Sequence, residues 1–223
     1  MFKQLFSKNL TPIAEKVFAS EPLSLEDGIT LFQEPDLLAV GQLANFVREK
    51  LHGDITYFNH NLHLNSTNVC EADCIFCSFA RLKSGMSQAY TMDQETAINW
   101  IRERIHPRMT EIHIVNGLNP DLTFSYYLDL LAAIKLNFPN LHIKAFTAVE
   151  IHYFAEKYSK TYKEVLKELM AVGLGSLPGG GAEIFAPRAR KKLCADKVDA
   201  TGWLEVHRIA HSLGLKSNCT MLY

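Results

Sequence analysis

The sequence predicts an α/β fold: an incomplete (β/α) barrel of the TIM type, with about five strand–helix units behind an N-terminal helical segment. From residue 63 onward, short apolar runs alternate with helical patterns, as in parallel strands joined by helices. Cysteine, glycine and acidic residues fall directly after the predicted strands, where barrel enzymes place their active sites, and this favours a barrel over a doubly wound sheet. The chain has 223 residues, and a complete barrel needs about 250 residues and eight strands.

The first part of the chain, residues 1–53, is predicted to be the helical segment, and residues 54–223 the partial barrel. Proline in a first turn, serine before acidic residues, and glycine after an apolar run are typical helix boundaries. They predict helices that begin at Thr11–Pro12, Ser24 and Pro35–Asp36, the last of which ends at Gly53. A short strand is expected over residues 54–59, leading into the barrel.

The rest of the chain alternates between the two element types. Strands are predicted over 63–69, 110–115, 141–147, 174–177 and 215–223. Helices are predicted over 93–105, 124–137, 162–172 and 202–213. The sequence stops inside the fifth predicted strand without a turn, so we expect the closing strands of the barrel to be missing and an unpaired edge to remain.

Composition excludes several functional classes. A net charge of −1 provides no bulk field that would attract nucleic acid or an anionic membrane. No apolar run is long enough to span a bilayer. Five cysteines, three of them clustered, make a poor disulfide framework, so we expect a reducing compartment, the cytoplasm. Cys194 and Cys219 stand alone and are interpreted as buried small apolar residues.

The most informative stretch is the eight-residue segment from Cys70 to Cys77, with the spacing C-x3-C-x2-C. Three thiolates in one short loop can hold a 4Fe–4S cluster and leave one iron without a protein ligand. Zinc is the competing interpretation, but it prefers four ligands, and only His63 and Asp73 lie near in sequence. Unligated core cysteines are the third alternative. The spacing favours the cluster, held by Cys70, Cys74 and Cys77.

This loop, with the aromatic Phe76 before its last cysteine, resembles the cysteine motif of the radical S-adenosylmethionine (radical SAM) superfamily. The resemblance implies a radical SAM barrel in which the open iron chelates the methionine part of S-adenosylmethionine. Reduction of the cluster then cleaves a carbon–sulfur bond and yields a 5′-deoxyadenosyl radical. It also implies a one-electron reductant, such as flavodoxin or ferredoxin.

Two further strand ends carry candidate ligand-binding residues. Asn116 and Gly117 follow the second barrel strand, and the glycine permits close approach of the backbone to a ligand; an ordinary turn is the alternative. The superfamily resemblance implies that this stretch binds the methionine amino group. Glu150 follows the third strand, where it can accept hydrogen bonds from ribose hydroxyls or serve as a solvated acid at a helix N-terminus.

The fourth strand leads into a run of three glycines, Gly179, Gly180 and Gly181. Such a run suits backbone that passes close to a ligand or offers N–H groups to an anion, whereas a flexible linker fits poorly between ordered elements. Arg188 and Arg190 follow, and a guanidinium fork suits a carboxylate.

Longer stretches resemble one family more closely, the aminodeoxyfutalosine synthases of the futalosine route to menaquinone. The stretches that carry this resemblance are residues 113–121, 142–152, 177–185 and 220–223. The resemblance implies that the adenosyl radical adds to 3-[(1-carboxyvinyl)oxy]benzoate. The related dehypoxanthine futalosine cyclases and the synthases that form the deazaflavin coenzyme share the glycine run, so the cyclase or another related radical SAM enzyme remains an alternative. A non-catalytic iron–sulfur or zinc-binding protein is an alternative of another class. The sequence does not predict an oligomeric state.

Overall fold

The computed structural model describes residues 6–222 and divides the chain into two compact units, one ending at Phe58 and the other beginning at Asn59. Residues 1–5 and Tyr223, which belong to the predicted helical segment and the predicted last strand, lie outside the described residues.

The N-terminal unit contains three helices within its described residues: α1 (Thr11–Ala19), α2 (Leu25–Gln33) and α3 (Leu37–His52). The predicted boundaries are confirmed. The Ser24 side chain and Asp27 form a capping box at α2, Asp36 accepts hydrogen bonds from the first turn of α3, and Gly53 follows that helix. A small core is formed by Leu10, Ile13, Ala14, Ala39 and Leu43. The strand predicted over residues 54–59 is absent from this described part, because no neighbouring strand pairs with it.

The second unit is one sheet of parallel strands whose order along the described residues, β1-β2-β3-β4-β5, equals their order in sequence. The strands are β1 (Asn61–Leu64), β2 (Glu111–Ile114), β3 (His142–Ala145), β4 (Leu174–Leu177) and β5 (Lys216–Ser217). The helices are α4 (Gln94–Arg104), α5 (Phe124–Asn137), α6 (Ala148–Lys157), α7 (Tyr162–Ala171), α8 (Pro187–Leu193) and α9 (Ala200–Ser212). Sequential order with helical crossovers is the arrangement of a barrel and confirms the predicted partial barrel.

β1 and β5 depart most from their predicted bounds, while β2 and β3 are one or two residues shorter at each end. Ladder pairing of β1 stops at Leu64, and residues 67 and 69 form only isolated bridges with the loop that follows. β5 is limited to two residues, Lys216 and Ser217, each paired with β4. In both cases the predicted strand extends past the point at which a neighbouring strand supplies ladder hydrogen bonds.

The core lies between the sheet and its helices. Leu64, Ile112, Ile114, Ile143 and Ala145 are fully buried on one face of the sheet. Side chains alternate between faces along a strand, so the residues between them occupy the opposite face. Because the strands pair in parallel, their carboxyl ends lie at the same edge of the sheet, and the loops that follow the strands meet there.

Candidate active site at the carboxyl edge of the sheet

The cysteine loop after β1 is held by backbone hydrogen bonds to three neighbouring segments. The amide of Cys70 donates to Arg81 O at 2.9 Å, and that of Glu71 donates to Leu118 O at 3.0 Å. On the other side, the amide of Ile75 donates to Leu193 O at 3.1 Å. The loop conformation is therefore set by the surrounding chain.

The three cysteines of this loop are free thiols; Cys70 and Cys74 are buried and Cys77 is exposed. Burial raises the pKa of the Cys70 thiol and raises the pKa of Cys74 to about 11, while the nearby Lys197 ammonium acts in the opposite direction. Metal binding must therefore displace protons from both thiols.

A cavity of about 220 Å³ opens beside this loop at the carboxyl edge of the sheet. It brings together residues that follow four different strands, as predicted. The lining includes Cys70, Cys74, Phe76, Cys77, Asn116, Gly117, Glu150, Gly180 and Gly181 from the predicted set. Gly179, Arg188 and Arg190 are not part of the lining formed by the described residues.

The donor set fits a 4Fe–4S cluster with one open iron. Three free thiols on one loop face a common cavity, and in a cubane cluster each thiolate binds a different iron. Among residues 6–222, no three His, Cys, Asp or Glu side chains converge as ligands of one metal ion. A cubane does not require such convergence. His63, considered as a zinc ligand, packs instead against His113 with ring centroids 4.3 Å apart.

Gly117 is required by the packing of two loops at the sheet edge. A Cβ at this position would lie 2.2 Å from Val69 O, far inside contact distance. The adjacent Asn116 Oδ1 accepts hydrogen bonds from Ser66 N at 2.6 Å and Ser66 Oγ at 3.1 Å. Asn116 Nδ2 is buried without a hydrogen-bond partner in the described part of the chain. Because Asn116 lines the cavity, this amide group is a donor available to a bound ligand.

Glu150 is 2% exposed and joins two strand ends. Its Oε2 accepts from Thr147 N at 2.7 Å, completing the capping box of α6, and its Oε1 accepts from Asn116 N at 2.9 Å. Burial raises the pKa of this carboxyl to about 7, although the hydrogen bonds oppose the shift. The structure thus has the predicted acid at a helix N-terminus, but buried rather than solvated. A contact with ribose stays a prediction.

The three glycines of the run differ in their surroundings. A Cβ on Gly179 would lie 2.3 Å from Asn218 O, and Gly181, with φ of 90°, faces Val149. Both are therefore needed by the protein's own packing. Gly180 has only the Thr147 methyl nearby, at 3.2 Å from a built Cβ, and its carbonyl accepts from Trp203 Nε1 at 3.1 Å.

The two arginines lie outside the cavity lining of the described residues. Arg190 is buried, and its guanidinium donates to Ala182 O at 2.6 Å, Gly181 O at 3.1 Å, Ile184 O at 3.2 Å and also to Val198 O. These carbonyls accept from the two terminal nitrogens, while Nε is buried without a partner in the described part of the chain, so Arg190 stabilises the glycine loop. Arg188 is exposed on α8, away from the cavity lining. A carboxylate-binding role therefore stays a prediction for both arginines.

Sequence reasoning missed Lys197, which lines the cavity between α8 and α9. Its Nζ pairs with Glu183 Oε1 at 2.7 Å and lies 5.3 Å from the centroid of the Phe76 ring. Both partners of the ion pair are 16% exposed. No motif surrounds Lys197, so only the folded chain identifies it as a cation beside the cysteine loop.

The chain is similar in sequence to curated enzymes and in fold to solved structures. Aminodeoxyfutalosine synthase from Thermus thermophilus is 50% identical over 214 residues, which make up 96% of this chain and 57% of that protein. The enzyme of the same name from Streptomyces coelicolor is 44% identical over 211 residues, 95% of this chain and 54% of that protein. The chain thus spans little more than half the length of these curated relatives.

The fold is shared with the FeFe-hydrogenase maturase HydG from Carboxydothermus hydrogenoformans. The TM-score is 0.67 at 20% identity, with 97% of this chain and 48% of that chain covered. Residues 64–223 match the sequence profile of the radical SAM superfamily, whose enzymes use a 4Fe–4S cluster and S-adenosylmethionine. The three loop cysteines line one cavity, and the sheet matches the fold of the maturase. Together with the profile match, these observations show that the chain belongs to the radical SAM superfamily.

Proposed function

We propose that this chain carries the cluster- and S-adenosylmethionine-binding part of an aminodeoxyfutalosine synthase. In the proposed reaction the 5′-deoxyadenosyl radical adds to the enol-ether double bond of 3-[(1-carboxyvinyl)oxy]benzoate. The adduct radical attacks the aromatic ring and rearranges, and it then loses its carboxylate as carbon dioxide or bicarbonate together with one electron. That electron balances the one supplied by the reductant at the start, so the product is closed-shell. The observation that carries the proposal is the 50% identity with the Thermus enzyme over 96% of the chain.

The residues around the cavity have separate proposed roles. When bound to Cys70, Cys74 and Cys77, a 4Fe–4S cluster supplies one electron and an open iron for the methionine part of S-adenosylmethionine. Asn116 Nδ2 donates a hydrogen bond to an acceptor on that ligand, since it has no partner within the described chain. Lys197 provides a cation for the ligand's carboxylate.

Glu150 is a positioning residue in this proposal, because its two oxygens hold the amides of Asn116 and Thr147. Gly180 lets the backbone approach the ligand, since little lies near a Cβ built there. Phe76, Leu118 and Val149 give the cavity apolar walls that exclude water from a reactive radical.

The proposed partners are small molecules and one electron donor. The substrate is the enolpyruvyl-oxybenzoate, and the reductant is a protein such as flavodoxin or ferredoxin. Within the described residues no helix is both long and apolar enough to cross a bilayer. The cytoplasm is the proposed compartment, because the cluster needs thiols that stay reduced.

The test is product analysis on protein expressed from its whole reading frame and reconstituted anaerobically with iron and sulfide. With S-adenosylmethionine, dithionite and the substrate, we expect an adduct that retains adenosine, together with free methionine. Release of 5′-deoxyadenosine without an adduct, alongside turnover of dehypoxanthine futalosine, would move the assignment to the cyclase. Uptake of zinc without iron would place the chain in the non-catalytic class.

Cysteine variants provide the matched control for that experiment. Cys70→Ala, Cys74→Ala and Cys77→Ala should each lose the iron–sulfur absorbance and all cleavage of S-adenosylmethionine. Cys219→Ala should retain about four irons per chain, the content of one cubane. Cys219 is exposed, not buried as predicted, and lies outside the cavity lining of the described residues. Equal iron content in all four variants would contradict the proposed ligands.

A further inference from the structure

The face of the sheet opposite the helices carries an unusual row of polar side chains. The strand register aligns His63 with His113, His113 with Lys144, Lys144 with Ser176 and Ser176 with Lys216. These residues alternate with the buried apolar residues that face the helices. They therefore form one layer on the inner side of the partial barrel.

This layer lies directly beneath the cavity at the cysteine loop. Asn65 and Val115 line that cavity, and His63 and His113 lie two positions earlier on the same strands. Side chains two positions apart in extended chain share a face. The row is consequently the next layer down from the site where the proposed radical forms.

The composition of the layer does not suit a packing role. Inner layers of such barrels are dominated by bulky branched residues, which fill the interior. In this chain the inner layer instead carries imidazoles, ammonium groups and a hydroxyl. The ammonium of Lys144 pairs with Glu111 Oε2 at 3.1 Å. Polar side chains placed where apolar ones would pack better indicate a ligand.

The two histidines leave hydrogen-bonding capacity unused. Their ring centroids are 4.3 Å apart, and His113 Nε2 is buried without a partner in the described part of the chain. Burial, followed by the neighbouring His63 and the Lys144 ammonium, lowers the pKa of His113 to about 4, although Glu111 opposes the shift. The imidazole is therefore neutral near pH 7 and keeps one N–H to donate. His63 is exposed on the same face and accessible to a ligand.

We propose that His63, His113 and Lys144 form the subsite that binds a carboxylate of the organic substrate, below the adenosyl group. This inference rests on the proposed function, which supplies a substrate with two carboxylates. The imidazoles donate hydrogen bonds to the carboxylate, and Lys144 adds a cation shared with Glu111. The subsite orients the substrate so that its double bond faces the cavity.

The experiment measures equilibrium binding of 3-[(1-carboxyvinyl)oxy]benzoate, and separately of its dimethyl ester, to reconstituted protein under anaerobic conditions without reductant. We expect His63→Ala and His113→Asn to weaken binding of the diacid by about tenfold or more, the loss typical of one hydrogen bond to a charged group. Binding of the ester and of S-adenosylmethionine should stay within about twofold of wild type. Steady-state kinetics should show the same rise in KM.

A second histidine pair provides the matched control. His60 and His106, with ring centroids 5.5 Å apart, lie before the same two strands at the opposite edge of the sheet. His60→Ala and His106→Ala should leave diacid binding unchanged. Because His63 is exposed, His63→Ala decides the question even if His113→Asn fails to fold.

The outcomes separate this inference from the proposed function. If wild type forms the adduct but His63→Ala binds the diacid as tightly as wild type, the subsite is wrong and the function stands. If substitutions in both histidine pairs weaken diacid binding equally, the loss of binding is not local to the inner row, and the subsite is also wrong. If wild type binds neither diacid nor ester, the proposed substrate fails and the subsite proposal fails with it.

Discussion

Single residues at this site combine structural and chemical roles, and Glu150 is the clearest case. The Thr-x-x-Glu pattern at Thr147 is a capping box, which indicates only a helix start. The same pattern at Thr161 and Glu164 caps α7 on the surface. Only burial distinguishes the two carboxylates: it raises the pKa of Glu150 to about 7, whereas hydrogen bonds from Thr161 lower that of Glu164.

Stability measured against pH should separate these two acids. The folded-state pKa of Glu150 lies above its unfolded value of 4.5, so the folded chain binds more protons between pH 4.5 and 7 and loses stability as pH rises through that window. Relative to Glu150→Gln, the free energy of unfolding of wild type should fall by roughly 3 kcal/mol between pH 4.5 and 7. The slope is about 1.4 kcal/mol per pH unit, and no further change is expected above this window. Urea unfolding of the metal-free chain measures this.

Glu164→Gln is the control with the opposite sign. Its lowered pKa means that ionised Glu164 stabilises the fold, and that this contribution is lost as pH falls through the folded pKa. The wild-type advantage over Glu164→Gln should therefore shrink towards acid pH. Parallel pH curves for wild type and Glu150→Gln would show that the Glu150 pKa is not raised.

At the scale of elements, the site depends on how closely the strand-end loops approach one another. Gly117 contacts the backbone at Val69, and Gly179 contacts the backbone at Asn218. Each contact joins the end of one strand to the segment that follows a neighbouring strand. The cysteine loop depends on the first of these contacts, since Glu71 N donates to Leu118 O.

Gly117→Ala should disturb both stability and cluster binding. Its Cβ would lie 2.2 Å from Val69 O, and relief of such overpacking typically costs about 1–3 kcal/mol. We expect a lower urea midpoint and a lower iron content after reconstitution. Gly85→Ala, in the long loop after the cysteines with nothing within 4 Å of its Cβ, should match wild type in both. Equal behaviour of the two variants would mean that the loops can separate at little cost.

At the scale of the whole molecule, the chain divides between Phe58 and Asn59. The predicted boundary after residue 53 and this division fall within one stretch, since residues 53–60 form neither helix nor strand. Tyr57 and Phe58 are 71% and 87% exposed there. Exposed connections without regular structure are preferred sites of proteolysis.

Limited chymotrypsin digestion of the reconstituted protein should cut first after Tyr57 or Phe58 and leave a fragment that begins near Asn59. Mass spectrometry identifies the fragment, and absorbance reports whether it retains the cluster. Tyr57→Thr combined with Phe58→Thr should delay this cut. A first cut after Phe76 or Phe79 would instead show that the cysteine loop opens more readily than the connection between units.

The superfamily, the partial barrel and the three cysteines could be predicted because their signals are local. Thiol spacing restricts ligand geometry over a few residues, and capping residues mark helix boundaries wherever the chain folds. The ends of β1 and β5 could not be predicted in this way, because ladder pairing depends on a partner strand that is distant in sequence.

The sequence by itself also placed the cavity residues after strands, but only the tertiary structure decided what each of them does. Arg190 and Lys197 are both cations in the same region of sequence; the first donates from its terminal nitrogens to backbone carbonyls, and the second lines the cavity. The inner row of His63, His113 and Lys144 exists only once parallel strands lie in register. The physical reason is that burial, pairing and register arise from contacts between segments far apart in the chain, whereas spacing within a loop does not.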